Sequence, residues 1–172
     1  MDKYIYFAAE MPGLQWGSEQ LLSEQDFLEE AKKWMNEADY TALSETLVNR
    51  YDAQNSKRIY SDFLQFEKEL RTELAEYRSA TKEGYEYKFV HLPAQLIKDG
   101  NPLDIELKLM KYRWDWLGEQ EFGHYSDLDF FVLYYLKLQL LQRVATFKQE
   151  VGEEAFKELI KQNLENTEEA SL

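Results

Sequence analysis

Residues 130–147 (FFVLYYLKLQLLQRVATF) are apolar at nearly every position, relieved by Lys137, Gln139, Gln142 and Arg143. A helix that is apolar around most of its circumference has to be buried among other helices or covered by a partner. Phe131, Tyr135, Leu138 and Val144 lie on different azimuths from Val132, Leu136 and Leu140, so one face cannot bury them all. The segment therefore predicts a central helix, with helices over 57–80 and 151–164 on either side of it. An exposed strip through Tyr134, Tyr135 and Leu138 would instead mark a partner site. Lys137 interrupts the run far short of the ~20 apolar residues of a membrane span. Direct membrane insertion is not expected.

The rest of the chain supplies elements to surround such a helix. Residues 4–9 (YIYFAA) read as an opening helix or an edge strand, ended by Met11-Pro12-Gly13. Ser23 followed by Asp26 is an N-cap with an acidic N3 partner. Phe27, Leu28, Ala31, Trp34 and Met35 then form one stripe of an amphipathic helix. A further helix is expected over 39–50 through Leu43, Leu47 and Val48. The clearest stripe is Ile59, Phe63, Phe66, Leu70, Leu74 and Tyr77 within 57–80. Residues 85–92 (YEYKFVHL) read as a short extended segment or as irregular chain before Pro93. Asp99-Gly100-Asn101-Pro102 is a turn, with Pro102 placed to start a helix striped by Leu103, Leu107, Met110, Trp114 and Leu117 and capped at Gly118. Ser126 with Asp129 repeats the capping pattern of Ser23 and Asp26, which capping chemistry alone generates without an internal duplication.

These elements predict an all-α fold, a single domain over 1–164 with six or seven helices, followed by a frayed polar tail over 165–172. Seven Gly and three Pro argue against a β fold with many tight turns. A chain of 172 residues with 44% hydrophobic and 15% aromatic content has ample material for a core. With 20 Lys and Arg against 33 Asp and Glu, the net charge is −13. Such a surface repels phosphate, which disfavours nucleic acid as a partner. The absence of cysteine removes disulfides and thiolate sites and fits a reducing, cytoplasmic setting. Residues 1–10 lack the pattern of a signal peptide.

No constellation in the sequence carries catalysis, a cofactor or a metal. His91 and His124 are the two histidines. Glu121-Phe-Gly-His124 has the Glu-x-x-His spacing of carboxylate-bridged di-iron bundles, a chemistry that needs two such motifs and two further carboxylates. One copy, interrupted by Gly123, makes His124 a loop or interface side chain instead. No Gly-rich phosphate loop and no Gly-x-Ser-x-Gly elbow occurs. The readable candidates are for contact with a partner. Trp114 and Trp116 point about 200° apart on a helix. Trp114 continues the buried stripe, which leaves Trp116 to cover a second surface, within the fold or on a partner. Trp16, Trp116, Tyr4 and Tyr6 are the candidate contact residues.

The aromatic opening YIYFAAEMPGL, the capped LLSEQDFLEEAKKW and the block WDWLGEQEFGHYSDLDFFVLYYLKLQLLQRVATFKQEVGEEAFKELI resemble an uncharacterised bacterial family encoded among V-type ATPase genes. That family is distantly similar to the all-helical central-stalk subunit called C in archaeal-type and d in eukaryotic V-type ATPases. The resemblance implies a non-catalytic subunit that couples the central stalk to the membrane ring or assists assembly, peripheral to the membrane and partnered by other V-type ATPase subunits. The alternative is a free-standing acidic adaptor that binds a basic protein through a carboxylate-rich face such as 67–76.

Overall fold

The computed structural model describes residues 3–18, 22–48 and 58–147. Within them the chain forms seven helices and no strand. They are α1 (Ile5–Glu10), α2 (Glu24–Trp34), α3 (Glu37–Ser44), α4 (Arg58–Glu83), α5 (Gln95–Lys98), α6 (Pro102–Gln120) and α7 (Leu128–Ala145). The fold is all-α, as the periodicities require. The helix expected over 151–164 and the tail lie outside the described residues.

Helix α7 is central. From Phe131 to Leu141 every residue but Gln139 is buried, so Tyr134, Tyr135 and Leu138 form no exposed strip. Helices α2, α3, α4 and α6 all pack on it, α6 and the N-terminal helices being flankers that the sequence did not single out. Val144, further along, is half-buried. The N-terminal end of α7 is held by rings: Phe7 stacks on Phe131 at 4.3 Å, and Phe27 stacks on Tyr134 and Tyr135 at 5.3 and 5.2 Å. Each such side chain contributes roughly 1.5–3 kcal/mol on leaving water, and the offset aromatic pairs add to that. Lys137 is buried too, because its ammonium reaches Glu121 at 2.6 Å and lies 4.8 Å from the Trp114 ring. A buried charge is tolerated when it is paired in this way.

The helix starts follow capping chemistry. Ser23 Oγ accepts from the Asp26 amide at 3.0 Å, and Asn101 with Asp104 forms a capping box just ahead of Pro102. Elsewhere the boundaries shift. The helix expected over 39–50 begins at Glu37, N-capped by Asn36, whose Oδ1 accepts from the Asp39 amide at 3.0 Å. It ends at Ser44 because side chains from α4 and α7 take over the next backbone groups. Tyr60 Oη accepts from Leu47 N–H and donates to Leu47 C=O, while Gln139 accepts from Val48 N–H and donates to Thr46 C=O. Helix α4 runs one turn past Ala80, to Glu83. The cap placed at Ser126 belongs to Asp127, whose Oδ1 accepts from the Phe130 amide at 2.9 Å. Ser126 is instead buried, and its carbonyl accepts from Tyr4 N–H at 2.9 Å, fastening α1 to the α6–α7 loop. Gly118 does not end α6. The helix continues to Gln120, and the reversal falls at Gly123, whose φ of +91° is the left-handed region that suits glycine.

Residues 85–92 form no strand. They are an irregular strap laid along α4, and the amides of its last three residues go to one side chain: the buried Glu73 carboxylate accepts from Val90, from His91 at 3.0 Å and from Leu92 at 2.8 Å. Tyr112 Oη on α6 donates to the His91 carbonyl at 3.0 Å. Leu92 then joins Leu70, Leu74 and Leu109 in a second, smaller apolar cluster.

Candidate partner-contact surfaces

The four side chains singled out in the sequence do not gather in one place. Tyr4 is 7% exposed, and its hydroxyl donates to Asp39 at 2.7 Å and accepts from Asn36 at 2.9 Å. It is a core residue that ties α1 to the start of α3, not a contact residue. Trp116 packs within the chain, stacked on Phe66 of α4 at 4.7 Å and 5.9 Å from Phe63. It is half-buried, as is Trp114, for which full burial was expected. Trp114 meets the half-buried Trp16 at 5.7 Å. Tyr6 alone among the four stands well out in solvent, at 73% exposure.

Tyr6 has company. It stacks on Trp34 at 6.4 Å, and Ile5 and Trp34 are themselves exposed. The Tyr4–Ser126 backbone bond sets this part of α1 beside the α6–α7 loop, where Phe122 is 91% exposed and Tyr125 67%. Exposed large apolar side chains on neighbouring segments are candidates for an interaction surface. The rim near Trp34 is acidic. Glu30 accepts from Trp34 Nε1 at 3.2 Å and from Lys33 at 2.5 Å. Those bonds hold the Glu30 carboxyl below its usual range, the Lys33 bond being the largest cause, and Glu29 and Glu10 also act on Lys33. Phe122 and Tyr125 were not singled out in the sequence. The signal was present, since aromatics flanking Gly123 between two helices have no stripe to join.

Charged groups elsewhere serve the fold. The buried Glu67 carboxylate pairs with Arg113 Nε at 2.5 Å and with Arg71 at 3.2 Å, joining α4 to α6. Arg71, Arg113 and Arg143 wall a cleft of about 200 Å³, with Arg143 paired to Glu106 at 3.1 Å. Asp39 is pulled two ways: burial raises its pKa, but the bonds from Lys3, Tyr4 and Asn36 outweigh that and hold it below the usual range. Tyr134 and Tyr135 are pushed up to about 12, in both cases chiefly by burial.

The Glu-x-x-His spacing assembles nothing: Glu121 turns to Lys137, whereas His124 Nδ1 pairs with Asp127 at 2.7 Å in the loop. Among the described residues, His124, Asp127 and Asp129 do bring three donor atoms within 4.8 Å of one another, a grouping not foreseen from the sequence. It sits at the start of α7, where Asp127 is occupied as the N-cap and the helix dipole disfavours a cation. No described helix is long and apolar enough to cross a membrane.

No curated protein and no solved structure matches this chain. Over residues 85–167, just under half of its length, the chain is similar to a family described as a protein of unknown function (DUF2764), a span that includes the strap, α6, the Phe122 and Tyr125 loop and α7.

Proposed function

We propose that this protein is a non-catalytic subunit of a larger protein assembly, and that the assembly is a rotary V-type (A-type) ATPase, in which it couples the central stalk to the membrane ring or assists assembly. The observation that supports a binding role is the solvent-facing group of Ile5, Tyr6, Trp34, Phe122 and Tyr125. Its acidic rim of Glu10, Glu29 and Glu30 around Lys33 complements a partner with an apolar centre and basic edge. The choice of a rotary ATPase is supported by the family resemblance carried by the aromatic opening and the C-terminal block.

The test is a photo-crosslinking side chain in place of Tyr6 or Phe122, expressed in the source organism. Crosslinks to stalk or ring subunits are expected. Crosslinks to proteins outside the ATPase would overturn the assignment, and none at either position would overturn the surface itself. The alternative, an adaptor using the carboxylates of 67–76, loses ground because Glu67 and Glu73 are buried and already bonded. A complex held by exposed charge would weaken steeply with salt, whereas one held by aromatic burial would not.

A further inference from the structure

Between α4, α6 and the 85–92 strap lies a cleft of about 390 Å³. Phe66, Tyr112 and Trp116 supply aromatic wall, with Phe66 5.7 Å from Tyr112 and 4.7 Å from Trp116. Glu69, Glu73 and His91 line it as well, and no Lys or Arg does. Glu73 is fully engaged with strap amides. Glu69 is not: one carboxylate oxygen accepts from Gln65 at 2.6 Å, and the other has no hydrogen bond among the described residues. The contrast with the arginine-walled cleft is informative, since there every guanidinium already has a carboxylate. Here a carboxylate and three rings stand without a guanidinium or ammonium among the lining side chains.

We propose that this cleft receives the guanidinium of an arginine side chain presented by a protein partner. A planar cation stacks on aromatic faces and donates in pairs to a carboxylate, so rings with one open carboxylate suit guanidinium better than a neutral ligand. The net charge of −13 draws a basic partner to the surface in the first place. Val90, 78% exposed beside the opening, offers that partner an apolar ledge, which a free small cation would not use. The field in the cleft has the right sign: the Tyr112 hydroxyl is held above its ordinary pKa, first by burial and then by the charges of Glu73 and Glu119. The cleft shares no residue with the Tyr6 and Phe122 surface, so it adds a second point of recognition and does not depend on the ATPase assignment.

The probe is the blocked tripeptide Gly-Arg-Gly, titrated into the full-length chain while the Trp116 indole resonance is followed by NMR, with Trp116→Phe identifying the signal. A saturable shift at Trp116 is expected. Replacing arginine by the uncharged isostere citrulline should weaken binding about tenfold, and Glu69→Gln should weaken the arginine peptide by a similar factor. Equal binding of the two peptides would overturn the proposal, as would a shift confined to the other tryptophans or none at all. If Glu69→Gln failed to fold, the citrulline comparison on the unaltered chain would still decide.

Discussion

Glu73 is the point at which the strap can be cut from the bundle with one substitution. Its two carboxylate oxygens receive three backbone N–H groups, and His91 N–H is shared between them. Glu73→Gln preserves shape but turns one oxygen into a donor that faces donors. At least one amide loses its acceptor and the remaining bonds lose their charge. A hydrogen bond to a charged group contributes about 1.5–3 kcal/mol, and a buried donor left unpaired costs about 1–3 kcal/mol. Val90 and His91 are exposed, so water recovers their amides once the strap lifts, while Leu92 is buried and its burial is forfeited. The net cost should therefore be about 2–3 kcal/mol, spent on local detachment ahead of global unfolding. Native-state hydrogen exchange reads this directly: the amides of 90–92 should exchange about 30- to 150-fold faster, with those of α7 much less affected. Unchanged protection at 90–92 would refute the reasoning, and equal acceleration across α7 would show that the strap and bundle open as one.

Three further outcomes follow from the packing. Glu67→Ala should destabilise by about 2–4 kcal/mol in chemical denaturation, since it leaves the half-buried Arg113 without its partner, whereas Glu67→Met with Arg113→Met should recover most of the loss. Gly118→Ala should stabilise by about 0.5–1 kcal/mol, because Gly118 lies within α6 and a Cβ there would meet only Lys137 Nζ, at 3.6 Å; a melting temperature that fell would return Gly118 to the role of a cap. Alkali should unfold the protein as Tyr134 and Tyr135 ionise. Their folded pKa values of about 12 lie above the ordinary 10, so the stabilisation is whole below pH 10 and is lost as pH rises through 12, with phenolate absorbance and circular dichroism changing together.

Local pattern was legible where one physical rule acted alone. The stripe of α4, the capping box before Pro102 and the all-round apolarity of α7 each dictate their own structure whatever lies nearby. The sequence misled where a distant side chain intervened. Leu43 and Leu47 keep helical spacing, yet Tyr60 and Gln139 claim the backbone beyond Ser44. The alternation of 85–92 is real, and Tyr87 and Phe89 do both pack on Tyr77, but the amides of 90–92 pair with Glu73 and not with a strand. Asn36 with Asp39 carried the same capping signal as Ser23 with Asp26, and the helix start was placed at Asp39 without using it. Of the contact candidates, Tyr6 was legible as an aromatic with no place on a stripe. Tyr4 was not, because its burial depends on Asp39, 35 residues away, and on the loop at Ser126.

The central placement of α7 has a bearing on the order in which the protein can take shape. Phe7, Phe27 and Phe63 are all completely buried in the cluster built on α7, and the Tyr134 hydroxyl closes back onto the Pro12 carbonyl, 122 residues earlier. During synthesis the chain emerges from its N-terminus, at about 5–20 residues per second. Helices α1 to α4 thus leave the ribosome several seconds before the helix that completes their core exists. Throughout that interval their aromatic faces have only one another, or a chaperone, to cover them. A nascent chain stalled before Leu128 is a set of amphipathic helices without a centre, and the bundle closes as a late, cooperative event once α7 is free.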